Sequence, residues 1–354
     1  MDKIRPRLDK LYDLGASFKF IGVESNLFKN NLHMQRINKK LILLFSLFII
    51  SSSVVRAQIE DYYSEAPGFS LGTTIGLSDL WGDIGTASSM DHYMNSNYKK
   101  NVTFMGGLLF RYTFVPAFSL RFGVNYGKLY ASDNFNEDLA KKAKSMEEDA
   151  AQRYYRNLNV RTNIWEGNIM FEFAPFRMNT ESNRSRRRMQ SYITGGIGVF
   201  HYKPQGLYIN RATRREQWVD LIDLHTEGVG LSTTGATSAA LPSLWQVAIP
   251  MGFGMRWDLN HKVSLGVEYI YRTTMTDLLD DVSDKYVNPQ VFTASLSPEK
   301  AAIATDIYDK TWVLIPNYQR NVGDKRGNSA DKDAYSTLSI TFIYRLSSRW
   351  NQWW

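Results

Sequence analysis

Four carboxylates fall within eight residues in the run Thr276-Asp-Leu-Leu-Asp-Asp-Val-Ser-Asp284: Asp277, Asp280, Asp281 and Asp284. Such oxygen-rich clusters suit a hard cation such as calcium. The spacing is not that of an EF-hand, and Asp and Ser also cap helices and close turns, so the run reads as structural and no metal is assigned. Other reactive groups are sparse. The 354 residues contain no cysteine, which excludes a disulfide scaffold, a zinc–cysteine site and a thiol nucleophile. After residue 57 only His92, His201, His225 and His261 remain, none at metal-ligand spacing from another. There is no nucleophile elbow and no P-loop. The sequence therefore predicts no enzyme, no catalytic residue and no cofactor.

The charge does not point to nucleic acid. The formal net charge is +7, but residues 1–57 hold ten Lys/Arg against four Asp/Glu, leaving 32 against 31 for residues 58–354. Without its leader the chain is nearly neutral, so a basic nucleic-acid-binding domain is unsupported. That leader, residues 34–57, has a basic start (Arg36, Lys39, Lys40), a ten-residue apolar run Leu41–Ile50, and Val55 and Ala57 as small residues before Gln58. It reads as a secretory signal cleaved near Ala57. Ten apolar residues are too few to span a bilayer as a helix. Residues 1–33 match no function and read as an upstream misannotation, with Met34 as the true start.

The elements after residue 58 are strands. In residues 118–126, Phe118, Leu120, Phe122, Val124 and Tyr126 share one face, with Ser119, Arg121, Gly123 and Asn125 on the other. This is the period of two that marks a strand. The pattern recurs over 69–79, 102–114, 160–174, 191–202, 244–258, 262–273 and 335–346, giving eight strands. The glycines at 195, 196 and 198 leave the face of the fifth strand open. Long connections at 80–101, 131–159, 203–243 and 274–334 alternate with short ones at 115–117, 175–190 and 259–261. An even strand count and alternating loop lengths predict an all-β, eight-stranded antiparallel transmembrane barrel of OmpA-like type with four long extracellular loops, in the outer membrane of a Gram-negative bacterium. One face is aromatic and aliphatic, the other Gly, Ser, Thr and Asn with scattered charges. The first would be a very large exposed patch unless lipid covered it, which favours the barrel over a secreted sandwich. Trp245 and Trp257 are spaced like two interfacial girdles.

Within that barrel, Arg111, Arg121, Arg256, Arg272 and Arg345 share the inner face with Glu166, Glu172 and Glu268. Eight strands enclose a lumen only wide enough for side chains, so these charges pair and close it. Residues 137–156 are rich in helix formers and predict a short solvated helix on the second long loop. Arg184, Arg186, Arg187 and Arg188 lie in the longest short-side turn and are candidates for contact with an acidic partner or lipid head groups. So are Trp350, Trp353 and Trp354 in the tail.

Several pieces resemble PorG-like outer-membrane barrels of the type IX secretion and gliding machinery of Bacteroidetes. These are Trp81-Gly-Asp-Ile-Gly85, Phe110-Arg-Tyr112, Leu120-Arg-Phe-Gly123, Gly195-Gly-Ile-Gly-Val-Phe200, Thr226-Glu-Gly228, Ile249-Pro-Met-Gly-Phe-Gly254, Glu268 and Arg272 ahead of Thr276–Ser283, and Arg326-Gly-Asn328. The Thr276–Ser283 run is the most specific, and the tail beyond Leu346 departs from the pattern. The resemblance implies a non-enzymatic component that anchors a periplasmic ring made by a lipoprotein and a partner subunit. Contact would come through 115–117, 175–190, 259–261 and the tail. The alternatives are a stand-alone OmpA-type barrel with adhesive, surface-binding loops, and a small passive pore.

Overall fold

Long runs of alternating apolar and small polar residues make extended strands whose two faces need different surroundings. A computed structural model describes residues 68–86, 92, 101–177, 189–231, 243–260 and 262–346. Its strands are β1 (Gly68–Trp81), β2 (Thr103–Val115), β3 (Phe118–Ser132), β4 (Asn159–Phe173), β5 (Met189–Ile209), β6 (Glu216–Asp220), β7 (Trp245–Asp258), β8 (Val263–Thr274) and β9 (Ala334–Arg345). All neighbours are antiparallel. The order runs β4-β3-β2-β1-β9-β8-β7-β5, and β4 pairs with β5 to close the ring. The chain is a closed eight-stranded antiparallel transmembrane β-barrel. No helix among the described residues is long and apolar enough to cross a membrane.

β6 is a ninth strand outside the ring. β5 pairs with β7 only as far as His201–Trp245, then continues to Ile209 and takes β6 as a hairpin partner. The third long connection, read from sequence as loop from residue 203, is therefore partly sheet. The glycine-rich fifth strand also finds its face: Ile193, Ile197 and Val199 point outward, while Tyr192, Thr194, Phe200 and Tyr202 point inward.

The outward face is apolar, with Ile75, Leu108, Phe171 and Ile340 among its exposed side chains. Tyr126, Trp165, His201 and Trp245 form one cross-strand row on β3, β4, β5 and β7 near the loop end. The Tyr126 and Trp165 rings lie 4.5 Å apart. Trp257 sits twelve positions along β7 from Trp245, which at about 3.3 Å per residue and a tilt of about 40° is roughly 30 Å of height. That matches an apolar band with its two girdles.

The described parts of the four long connections fold into a packed cap. The second carries α1 (Glu137–Ala140) and α2 (Asp149–Arg156), separated by turns. One helix was expected over 137–156; Lys141–Glu148 interrupts it because Glu148 is extended and starts α2 afresh. The fourth carries α3 (Gln290–Ser295), α4 (Pro298–Tyr308) and α5 (Thr311–Leu314). Gly206 lets α4 press against β5, since a Cβ there would come within 2.7 Å of Ile307 and Leu221. The core is at this end: Leu129, Val160, Ile164, Phe200, Tyr202 and Tyr335 from the barrel interior are continuous with Leu279, Phe292, Ala304 and Tyr308 from the cap. The interior is thus not polar throughout. Near the loops it is apolar, because the cap excludes water there.

Candidate functional site

The middle of the barrel is filled by an ion-pair network. Glu172 on β4 takes Arg111 Nε at 2.7 Å, Arg256 at 2.8 Å and Arg121 at 3.3 Å. Arg121 crosses to Glu268 on β8 at 2.6 Å, and Tyr192 donates to the same Glu268 oxygen at 2.9 Å. One layer nearer the loops, Glu166 meets Arg272 at 2.6 Å, accepts from Tyr335 at 2.9 Å and bonds Asn168. Asp258, held by Gln190 and Ser264, adds a fourth carboxylate whose charge acts on Arg256. All eight side chains are buried. Such charges are tolerated in a narrow interior only when each finds a partner. Arg345 is half-buried at the short-turn end, in register with Ser70. A cavity of about 20 Å3 is left beside Arg121, Glu268 and Arg272, roughly room for one water.

Above the apolar layer the loops are fastened by a carboxylate node. The turn after β1 sends the Ile84 amide to Asp280 at 2.8 Å. Asp83 accepts from the Asn328 amide at 2.6 Å, and its backbone carbonyl takes Arg156 at 2.6 Å. Asp133, at the end of β3, pairs with Arg156 at 2.8 Å and accepts from Leu158 N at 2.9 Å. Glu227 in the third loop pairs with Arg326 and accepts from Ser283 N at 3.1 Å. Asp333, just before β9, accepts from Leu279 N at 2.8 Å. Gly82 has no alternative here: a Cβ would lie 2.5 Å from Asp280 Oδ2 and 2.9 Å from Asp333 Oδ1.

The run Asp277–Asp284 lies in this node without converging on a point. Asp277 accepts from Ser283 Oγ at 2.7 Å, Asp280 holds the Ile84 and Val282 amides, Asp281 bonds Thr226, and Asp284 is exposed. Among the described residues no three His, Cys, Asp or Glu are grouped to hold a metal ion. Burial pushes the Asp277 carboxyl up to about 6 and that of Asp281 up to about 7. Asp280 and Asp333 are raised by burial and by neighbouring carboxylates, Asp83 for the first and Asp280 for the second. The arrangement can hold protons and fix loops.

Arg184, Arg186, Arg187, Arg188, Trp350, Trp353 and Trp354 lie outside the described residues. Sequence reading missed Asp133, Arg156 and Asp333. A signal for two of them exists: Asp133 and Asp333 each sit at the loop end of a strand, as Asp277 does after β8.

Residues 38–223, over half the chain, match the family model described as "Domain of unknown function (DUF6089)". The chain belongs to the DUF6089 family. No curated protein matches it. Among solved structures the DUF6089 chain is similar to Neisserial surface protein A at 10% identity and TM-score 0.32, covering 80% of this chain and 100% of that one. It is also similar to a major outer membrane protein from Thermus thermophilus (10%, TM-score 0.35, 79% and 100%). Ail, the attachment invasion locus protein of Yersinia pestis, is comparable (8%, TM-score 0.32, 79% and 99%). The barrel of this DUF6089 chain rests on its own strand register.

Proposed function

We propose that this protein is a non-enzymatic outer-membrane component of type IX protein secretion. In this reading the leader is removed near Ala57, and the barrel anchors or stabilises the periplasmic ring formed by a lipoprotein and a partner subunit. The supporting observation is that four of the sequence pieces carrying the resemblance meet in one node: Trp81–Gly85, Thr226–Gly228, Thr276–Ser283 and Arg326–Asn328. The filled lumen favours a scaffold over a conduit.

The test is affinity purification of the tagged protein from detergent-solubilised outer membrane, with mass spectrometry of what accompanies it. The expected result is stoichiometric recovery of a periplasmic lipoprotein and a ring subunit. Replacing Arg184, Arg186, Arg187 and Arg188 by Ser is expected to lower that recovery. Recovery of the barrel alone, under conditions that keep other membrane complexes intact, would overturn the reading and favour a stand-alone barrel with surface-binding loops.

A further inference from the structure

The outward face of β3, β4 and β5 changes character in steps down from the loop end. Nearest the loops is a polar ledge of two cross-strand rows: Tyr130, Arg161 and Gln205, then Lys128, Asn163 and Lys203. Below it comes the aromatic row Tyr126, Trp165 and His201. The next two rows, Val124, Gly167 and Val199, then Phe122, Ile169 and Ile197, line an open apolar groove of about 570 Å3. That is within the range of about 300–1,000 Å3 usual for a small-molecule site. Gly167 leaves the gap in this wall, since a Cβ there would meet no atom within 4 Å.

The ledge holds three cations, Lys128, Arg161 and Lys203. Asp220 pairs with Lys203 at 2.7 Å, and Asp223 acts on the same lysine. Asp220 also acts on Arg161, but neither Arg161 nor Lys128 forms an ion pair among the described residues. Arg161 donates its Nε to Gln205 at 2.8 Å and lies 4.5 Å over the Trp218 ring, while Lys128 is exposed. Lys128 stands four residues up the register from Gly167, about 13 Å at about 3.3 Å per residue. A free anion would use the ledge alone, and a neutral lipid the groove alone. An anionic amphiphile uses both, across the aromatic row that marks the edge of the apolar band. The long loops of such barrels face outward. We propose that this strip is a binding site for one phosphorylated lipid of the outer leaflet, its phosphate on Lys128 and Arg161 and an acyl chain in the groove over Gly167. Long basic side chains at this height reach up to head groups while their stems stay on apolar surface. The site does not depend on the secretion role.

The experiment is native mass spectrometry of the purified protein in non-ionic detergent. It is titrated with phosphorylated lipid A, with the same lipid after enzymatic dephosphorylation, and with phosphatidylcholine. The expected result is one saturable site for the phosphorylated form, with the other two lipids weaker by about tenfold or more. The double variant Lys128→Gln, Arg161→Gln should bring the phosphorylated form down to the level of the dephosphorylated one and leave the latter unchanged. Gly167→Leu should weaken both forms of lipid A several-fold by filling the groove. Its melting temperature should stay that of the parent protein, because the added side chain enters open space. Lys262→Gln, at the short-turn end, should change neither affinity. Equal affinity for the three lipids, or full affinity for phosphorylated lipid A in either the double variant or Gly167→Leu, would mean that lipid merely surrounds this face and would overturn the proposal.

Discussion

Glu172 is where the barrel interior is most vulnerable. One carboxylate, 2% exposed, faces three guanidinium groups from β2, β3 and β7. Removing one arginine leaves Glu172 with two, but removing the carboxylate strands buried cations. Breaking a buried pair from one side typically costs about 3–5 kcal/mol. Glu172→Gln is therefore expected to destabilise the barrel by about that amount, read as a shift in the urea midpoint of the detergent-solubilised protein. Arg111→Met should cost less. Equal effects from the two variants would mean that the network is not centred on Glu172. The period of two was enough to set Glu172 and its three arginines on one face. It carried no information on pairing, because β4 and β7 are not neighbours and Arg256 meets Glu172 only across the closed lumen.

The cap depends on carboxyls whose protons it holds. For Asp277 and Asp281 the folded value lies above the usual carboxylate value of 3.8, raised first by burial. Their contribution is therefore fully present below about pH 4. It is lost as the pH rises through about 6 for Asp277 and about 7 for Asp281. Hydrogen exchange of residues 276–284, corrected for intrinsic rate, is expected to show the segment opening more readily at pH 8 than at pH 5. In Asp281→Asn an amide oxygen still accepts from Thr226 and nothing ionises, so the pH dependence should flatten, with protection at pH 8 raised by about 1–3 kcal/mol. Tighter protection in base would contradict the assignment. Little of this cap was legible. The eight barrel strands follow from alternation, but the extension of β5, the β6 hairpin and the break between α1 and α2 are set by packing against other loops. The node joins residues far apart in sequence, such as Ile84 with Asp280 and Glu227 with Arg326, and a one-dimensional pattern carries no trace of such contacts.

At the scale of the whole molecule, two barriers stand in series along the barrel axis. The first is the ion-pair layer around Glu172 and Glu268, built entirely from strand residues. The second is the apolar layer of Ile164, Phe200, Tyr202 and Tyr335, covered by the cap. An eight-stranded ring has little lumen to spare once side chains fill it, and the cavity beside Arg121 holds about 20 Å3. The intact protein is expected to give no steady current in a planar bilayer. Shortening the fourth loop across 284–330 uncovers only the second barrier, so that variant should stay closed as well. Replacing Arg121, Glu172 and Glu268 together by Ser removes the centre of the first barrier but leaves the second, and should also stay closed. Current is expected only when these three replacements are combined with replacement of Phe200, Tyr202 and Tyr335, the strand residues of the second barrier. If the shortened-loop variant alone conducts, the strand-borne layer is no barrier and the barrel is a gated pore rather than a plugged scaffold.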